Sequence, residues 1–280
     1  MGKISNIKKL VLGFGRLTII MGLFCSVANA SIILSAPPRE TIKDGEKFYA
    51  PIAKHLSLIL GEKVVYEHPK NWTEYTRNMR DGKYDIVFDG PHFVAWRMKH
   101  VNHVPVARLD GTLDFFILAK KSDTKANSMR DLVGQSICGL ASPNLGTVSA
   151  FALFENPVIQ PEITIIKGGM KTVMQKFLSG ECHYAIVRDK VYKKLPQEKK
   201  DIIKIIAKSK SFPNQAISVS TKITKLNRDK IVAALTSPQG AQAADKLLDR
   251  FSKKNKYFIP AKDREFDNLE NLLEGVVWGW

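Results

Sequence analysis

Short apolar runs alternate with amphipathic ones along most of this chain. Residues 32–36, Ile-Ile-Leu-Ser-Ala, form a first apolar run ended by Pro37 and Pro38, and they read as a strand. Behind it Tyr49, Ile52, Ala53, Leu56, Ile59 and Leu60 recur at the spacing of one buried helix face, closed by Gly61. Pro51 disfavours helical geometry at the residue before it, so the regular helix is expected to open close to Ala50, with Tyr49 at its mouth. Residues 64–66 make a second strand. Asn71 then stands as a helix cap with Glu74 at the reciprocal position. Residues 84–88 are a third strand, and Pro91 opens a helix carrying Val94, Ala95 and Met98.

Residues 114–119 are a longer apolar strand, read as a first crossing between two halves. A second series follows: a strand over 136–140 with a helix from Thr147, a strand over 163–166 with a helix over 169–178, and a strand over 184–187 with a helix near Val191. Residues 202–207 are another strand, and 216–220 look like the return crossing. From Lys225 onward the pattern is helical, with Ile231, Ala234, Leu235, Ala244, Leu247, Leu248 and Phe251 on faces that would cover the first half. Strands alternating with helices imply parallel pairing and right-handed crossovers. The expected fold is therefore α/β and two-lobed, each lobe a mixed, mainly parallel sheet flanked by helices, joined by two crossing strands. Lobe 1 would take residues 31–117 and 217–280, and lobe 2 residues 118–216. In such open sheets ligands bind beyond the carboxyl ends of the strands, where helix N-termini point. Two facing lobes would share one cleft and close on a ligand by hinge motion.

The first 30 residues add an address. Lys3, Lys8, Lys9 and Arg16 precede an apolar run over 17–27, and Ala28-Asn29-Ala30 supplies the small-x-small pattern of signal peptidase. The run falls short of the ~20 residues that span a bilayer. Cleavage is expected after Ala30, with a periplasmic chain starting at Ser31. That segment holds four of the 43 Lys+Arg and none of the 27 Asp+Glu, leaving 39 against 27, a surplus of 12. Such a surplus steers anions. The lysines are scattered and no aromatic platform accompanies them, which argues against nucleic acid. Cys138 and Cys182 remain as an even pair in an oxidising compartment, so a disulfide is expected, the alternative being two separate buried thiols. No CxxC or HExxH spacing is present, so no metal or other cofactor is expected.

The run Tyr49-Ala50-Pro51-Ile52-Ala53-Lys54-His55-Leu56, the pair Gly180-Glu181 ahead of a strand, and Asp85 with Gly90-Pro91 together resemble the phosphonate-binding periplasmic protein family. These are the phosphate, phosphite and phosphonate-binding components of ABC transporters, with the type II periplasmic-binding-protein fold. The resemblance spans essentially the whole mature chain in order and spacing. It implies a receptor that hands a small solute to a membrane permease, and a monomer is expected. It also implies that the tyrosine at position 49 lines the site, its ring packing on ligand while its hydroxyl makes a hydrogen bond. The alternative is a core tyrosine on the buried helix face.

Four loops supply the remaining candidates. In Asp89-Gly90-Pro91-His92-Phe93, Gly90 permits close backbone approach, and the helix start exposes the His92 and Phe93 amides, which suits an anion. Asp89 acts against an anion and suits an amine, or serves only as a cap or turn residue. Ser142, Asn144 and Thr147 stand where the family carries a Ser/Thr-rich turn that holds phosphorus oxygens. Leu145 and Gly146 interrupt that cluster, and Met170 stands near where the family often has a histidine. These departures point to a different or less charged ligand. Ordinary capping by Asn144 or Thr147 is the alternative. Arg188 and Asp189 follow the strand over 184–187, where the family places a ligand-facing acid; a local surface pair is the other reading.

Binding without chemistry is the expected function, since no G-x-S-x-G elbow or cysteine nucleophile motif is present. Two rivals share the fold: a ligand sensor that signals to a membrane sensor kinase, and an enzyme.

Overall fold

The computed structural model describes residues 31–154, 158–252 and 256–274; the expected signal segment and its cleavage point lie outside them. The first apolar run becomes β1 (Ile32–Ser35), followed by α1 (Ile42–Leu60), β2 (Val64–Tyr66), α2 (Trp72–Arg80), β3 (Ile86–Asp89) and α3 (Pro91–His100). Next come β4 (His103–Leu109), β5 (Thr112–Leu113) and β6 (Phe115–Lys120). The middle of the chain forms β7 (Ser136–Gly139), α4 (Leu145–Phe151), β8 (Glu162–Ile165), α5 (Met170–Ser179) and β9 (Tyr184–Arg188). Then follow α6 (Asp189–Lys193), α7 (Gln197–Asp201), β10 (Ile203–Lys208), β11 (Phe212–Pro213) and β12 (Ala216–Ser220). The last elements are α8 (Lys225–Leu235), α9 (Pro238–Ala243), α10 (Asp245–Phe251) and β13 (Phe258–Pro260).

Two principal sheets result, one ordered β13-β4-β12-β3-β1-β2 and the other β10-β6-β9-β7-β8. Pairing is parallel where a helix connects the strands, as for β1 with β2 and β3 and for β7 with β8 and β9. It is antiparallel where the chain leaves or re-enters a sheet, as for β12 with β3 and β4 and for β6 with β9 and β10.

Residues 114–119, read from the sequence as a crossing, instead lie within the second sheet, where β6 is buried between β9 and β10. Its uninterrupted apolar run is what burial on both faces requires. Likewise β12 sits wholly inside the first sheet, every residue buried. The passage is made by β5 and β11, two residues each, in register Phe212↔Leu113 and Pro213↔Thr112. Two strands of the first sheet had no signal in the pattern. Pro105 interrupts β4, and β13 is a short edge strand ending at Pro260 and pairing only with β4.

Helix α1 starts eight residues earlier than Pro51 suggests. Thr41 accepts the Asp44 amide at 3.2 Å, and this cap carries the helix through Pro51 to Gly61, whose φ of 69° closes it. Tyr49 therefore lies mid-helix rather than at a mouth. Its face packs on β1, β3 and the helices from Lys225, with Ile52, Leu56, Phe88, Ile231 and Leu248 in one cluster. At α2 the Asn71 side chain accepts the Glu74 amide (2.9 Å), while Glu74 reaches back to the Lys70 amide (2.7 Å).

A separate apolar cluster ties the sheets together. It takes Val94 and Ala95 from α3, Leu113 and Phe212 from the crossing pair, Phe115 from β6, and Leu145 and Val148 from α4. Phe266, Leu269 and Leu272, beyond β13, close it. Gly146 is required there, since a Cβ would lie 2.7 Å from the Phe115 ring.

Cys138 and Cys182 are bonded, Cα to Cα 6.0 Å, in the cluster formed by Val173, Met174 and Phe177. Among the described residues no helix is long and apolar enough to cross a membrane. The bond closes a loop of 44 residues, so Cys138→Ala with Cys182→Ala lowers folding stability by about 2–4 kcal/mol. A urea midpoint unchanged from that of the oxidised protein would show that the bond contributes nothing.

Candidate ligand site at the strand carboxyl ends

Three loops at the carboxyl ends of β1, β3 and β7 gather the polar groups. The first is Arg39-Glu40, between β1 and the Thr41 cap of α1. Arg39 lays its guanidinium 5.9 Å from the Phe88 ring centre and 5.2 Å from that of Phe251. One nitrogen, Nη1, donates to Gln215 Oε1 at 3.2 Å. Its Nε and Nη2 are buried and have no hydrogen-bond partner. Glu40 meets Arg250 Nε at 3.3 Å through one oxygen, while the other is buried without a partner. Tyr49 is 1% exposed, and its ring stacks on Tyr66 at 5.0 Å. Its hydroxyl is buried and unpartnered. Burial raises the Tyr49 pKa, with the positive charge of Arg39 opposing the rise.

The second loop is organised by a buried ion pair. Asp89 and Arg97, each 1% exposed, meet at 2.9 Å. Tyr75, from α2, donates its hydroxyl to the same carboxylate oxygen and accepts from Arg97. The other oxygen accepts the Gly90 amide at 2.7 Å. Asp89 is thus paired with Arg97 and hydrogen-bonded through both oxygens. The Phe93 amide is also engaged, by the Gly90 carbonyl at 3.1 Å, so it is not the exposed donor expected from the sequence. The Phe93 ring stacks on Trp72 and contacts Tyr75 edge-on. His92, 3% exposed, reaches across to the other sheet, with Nε2 2.9 Å from the Pro143 carbonyl oxygen. Its Nδ1 is buried and unpartnered, beside the space a Gly90 Cβ would need.

In the third loop the Ser142 Oγ is buried without a partner. Asn144 caps α4 by accepting the Gly146 amide (3.0 Å), and Thr147 donates to the Leu140 carbonyl (2.6 Å). Both are thereby committed to the turn itself. Arg188 and Asp189 lie near the crossing. Arg188 donates to the Thr112 carbonyl at 3.2 Å and leaves Nε buried and unpartnered; burial lowers its pKa. Asp189 pairs with Lys193 at 2.6 Å through one oxygen, the other being buried without a partner.

Asp89, Gly90 and His92 share one loop, and the contact of His92 with Pro143 sets that loop against the turn that carries Ser142, while Tyr49 packs on Tyr66 and Phe88. Sequence reading missed Arg39 and Glu40. The signal was present: they follow the first strand at its carboxyl end, the rule that selected residues 89–93. Among the described residues no group of His, Cys, Asp or Glu is arranged to hold a metal. Hollows of about 380 and 360 Å³, beside Lys99 and Phe266 and beside His55 and Ile59, contain none of these loop residues.

Removing one member of the buried pair tests its weight. Arg97→Met leaves an uncompensated carboxylate and destabilises the fold by about 3–5 kcal/mol, whereas Asp89→Asn with Arg97→Met recovers much of that loss. Denaturant unfolding of the single and double variants measures the difference, and equal stabilities would contradict the coupling.

Comparison with known proteins agrees with this architecture. The family model "ABC transporter, phosphonate, periplasmic substrate-binding protein" matches residues 34–266. XAC2383 from Xanthomonas citri, bound to ATP, superposes with a TM-score of 0.67 at 11% identity, covering 87% of this chain and 97% of that one. PhnD1 from Prochlorococcus marinus, in complex with methylphosphonate, gives 0.60 at 14% identity over 87% and 97%. A binding protein component of an ABC phosphonate transporter from Pseudomonas aeruginosa gives 0.55 at 14% identity over 86% and 85%. No curated protein matches the chain. The strand order, the crossing pair and the match over residues 34–266 make this chain a member of the periplasmic substrate-binding proteins of ABC phosphonate transporters.

Proposed function

We propose that this protein captures a small oxyanion between its two sheets, Arg39 and the Tyr49 hydroxyl supplying the principal donors, and passes it to an ABC permease. The observation that carries this is Arg39: a guanidinium held over two aromatic rings, with two buried nitrogens that have no hydrogen-bond partner among the described residues. A buried donor without a partner costs about 1–3 kcal/mol, more when charged, and a carboxylate- or phosphonate-like oxygen removes that penalty. Tyr49 adds a hydroxyl, and Ser142 adds one from the opposite sheet. Asp89 supports the site as a positioning residue, by holding Gly90 and, through Arg97, the body of α3. Arg188 and Asp189 are second-rank contacts in this reading, and Asn144 and Thr147 shape the turn that carries Ser142.

Methylphosphonate, bound by one of the structural relatives, is the natural first probe. Binding is the whole activity in this reading, with no turnover of the ligand. Residues 1–30 act as a cleavable export signal that ends at Ala30. Hinge motion about the β5–β11 crossing, between the lobe that carries the first sheet and the lobe that carries the second, opens the cleft.

Calorimetric titration tests the assignment. Arg39→Ala weakens methylphosphonate binding by roughly 10- to 150-fold, the range of a hydrogen bond to a charged group, and Tyr49→Phe by about tenfold or less. Unchanged affinity in Arg39→Ala would remove it from the site. No heat with methylphosphonate, phosphate or phosphite would end the oxyanion reading.

A further inference from the structure

We infer that His92 reads a proton on the ligand: its Nδ1 accepts a hydrogen bond from an oxyanion that retains a P–O–H, and the site rejects oxyanions of the same charge that carry none. The inference rests on the oxyanion reading of the cleft and narrows it.

Hydrogen-bond chemistry fixes the tautomer. His92 Nε2 lies 2.9 Å from the carbonyl oxygen of Pro143. A carbonyl only accepts, so Nε2 bears the hydrogen and donates. In a neutral imidazole the other nitrogen is then a bare acceptor. That atom, Nδ1, is buried with no partner, on a side chain 3% exposed. Charged groups approach the ring from three elements: Asp89 at the end of β3, Arg97 on α3 and Arg39 in the loop after β1. From the α4 side come the Pro143 carbonyl and the Ser142 loop. Burial lowers the His92 pKa to about 4, the Pro143 bond and Asp89 oppose that shift, and the two arginines reinforce it. The ring is therefore neutral at periplasmic pH, and Nδ1 has no hydrogen to give.

A ligand seated among Arg39, Ser142 and His92 thus meets donors and one obligate acceptor. A phosphonate monoanion satisfies both, because two of its oxygens accept and the third donates. A sulfonate has the same charge and tetrahedral shape, but all three oxygens only accept. Its lone pairs would face the lone pair of Nδ1, leaving a buried polar atom unsatisfied and adding repulsion. Sites built around such a hydrogen bond discriminate strongly against analogues that lack it.

Titration of the full mature protein with methylphosphonate and methanesulfonate at pH 6 makes the comparison. Methylphosphonate is expected to bind at least about 100-fold more tightly. As pH rises past the second ionisation of methylphosphonate, its affinity falls by about tenfold per unit, because the bound form keeps one proton. In His92→Leu no acceptor replaces Nδ1, so the ratio between the two ligands collapses below about tenfold. A purely structural role for His92 would weaken both ligands together and leave the ratio intact, which overturns the proposal. Methanesulfonate binding within tenfold of methylphosphonate, or phosphonate affinity that is flat or rising with pH, also overturns it while leaving the oxyanion receptor in place. If neither compound binds, both readings fall. Thermal unfolding verifies the variant, and if His92→Leu does not fold, the ligand pair and the pH series on the native protein decide.

Discussion

The buried contact between Asp89 and Arg97, with Tyr75 bonded to both, is the interaction on which the candidate site depends. It joins the end of β3 to α2 and to the body of α3, and every charge in it is desolvated. A single carboxylate there would be expensive to bury; paired and fully hydrogen-bonded, it becomes a rigid anchor. From that anchor the Gly90 amide is drawn to Asp89, and His92 emerges one turn position away, aimed at Pro143 of the opposite sheet. Asp89 thereby holds the loop after β3 in place.

A second constraint is the apolar seam between the sheets. The two short strands of the crossing offer little by themselves. Phe115, Leu145, Val148, Phe266 and Leu269 surround them with rings and branched chains from three parts of the sequence. Gly146 allows α4 to approach Phe115 closely, and the C-terminal stretch around Phe266 seals the outer side. Burying each such side chain contributes about 1.5–3 kcal/mol, so the seam gives the link between sheets a stability that four strand residues lack. It also sets α3 beside α4, which is what lets His92 reach Pro143.

The polar atoms at the strand ends divide into those committed inward and those left over. Asn144 and Thr147 complete their own turn, and Asp89 completes its ion pair. Arg39, Tyr49, His92 and Ser142 retain buried atoms with unused capacity. A protein interior rarely tolerates such atoms without a function, and here they share the side of the sheets where helices begin. These atoms include donors on Arg39 and a bare acceptor on His92, and the Glu40 oxygen beside Arg39 is a second unpaired acceptor.

The chain's own pattern determined the strand–helix alternation, the capping of α2 by Asn71, the termination of α1 at Gly61, the opening of α3 at Pro91 and the pairing of Cys138 with Cys182. Each is local: a periodicity, a cap, or a redox compartment acting on two cysteines. The same pattern misplaced the crossing, because a doubly buried strand such as β6 and a linker strand are equally apolar when read alone. It missed β4 and β13, whose prolines hide the alternation, and it started α1 too late, because Pro51 was given more weight than the Thr41 cap. It could not tell the paired carboxylate of Asp89 from the unpaired nitrogens of Arg39, for one reason. Whether a charged side chain is spent or available depends on partners far away in sequence, Arg97 and Tyr75 in one case and Phe88, Phe251 and Gln215 in the other. Local propensity places the helix starts; only the packed tertiary structure decides which polar atoms remain for a ligand, because burial and hydrogen-bond satisfaction are properties of the whole fold.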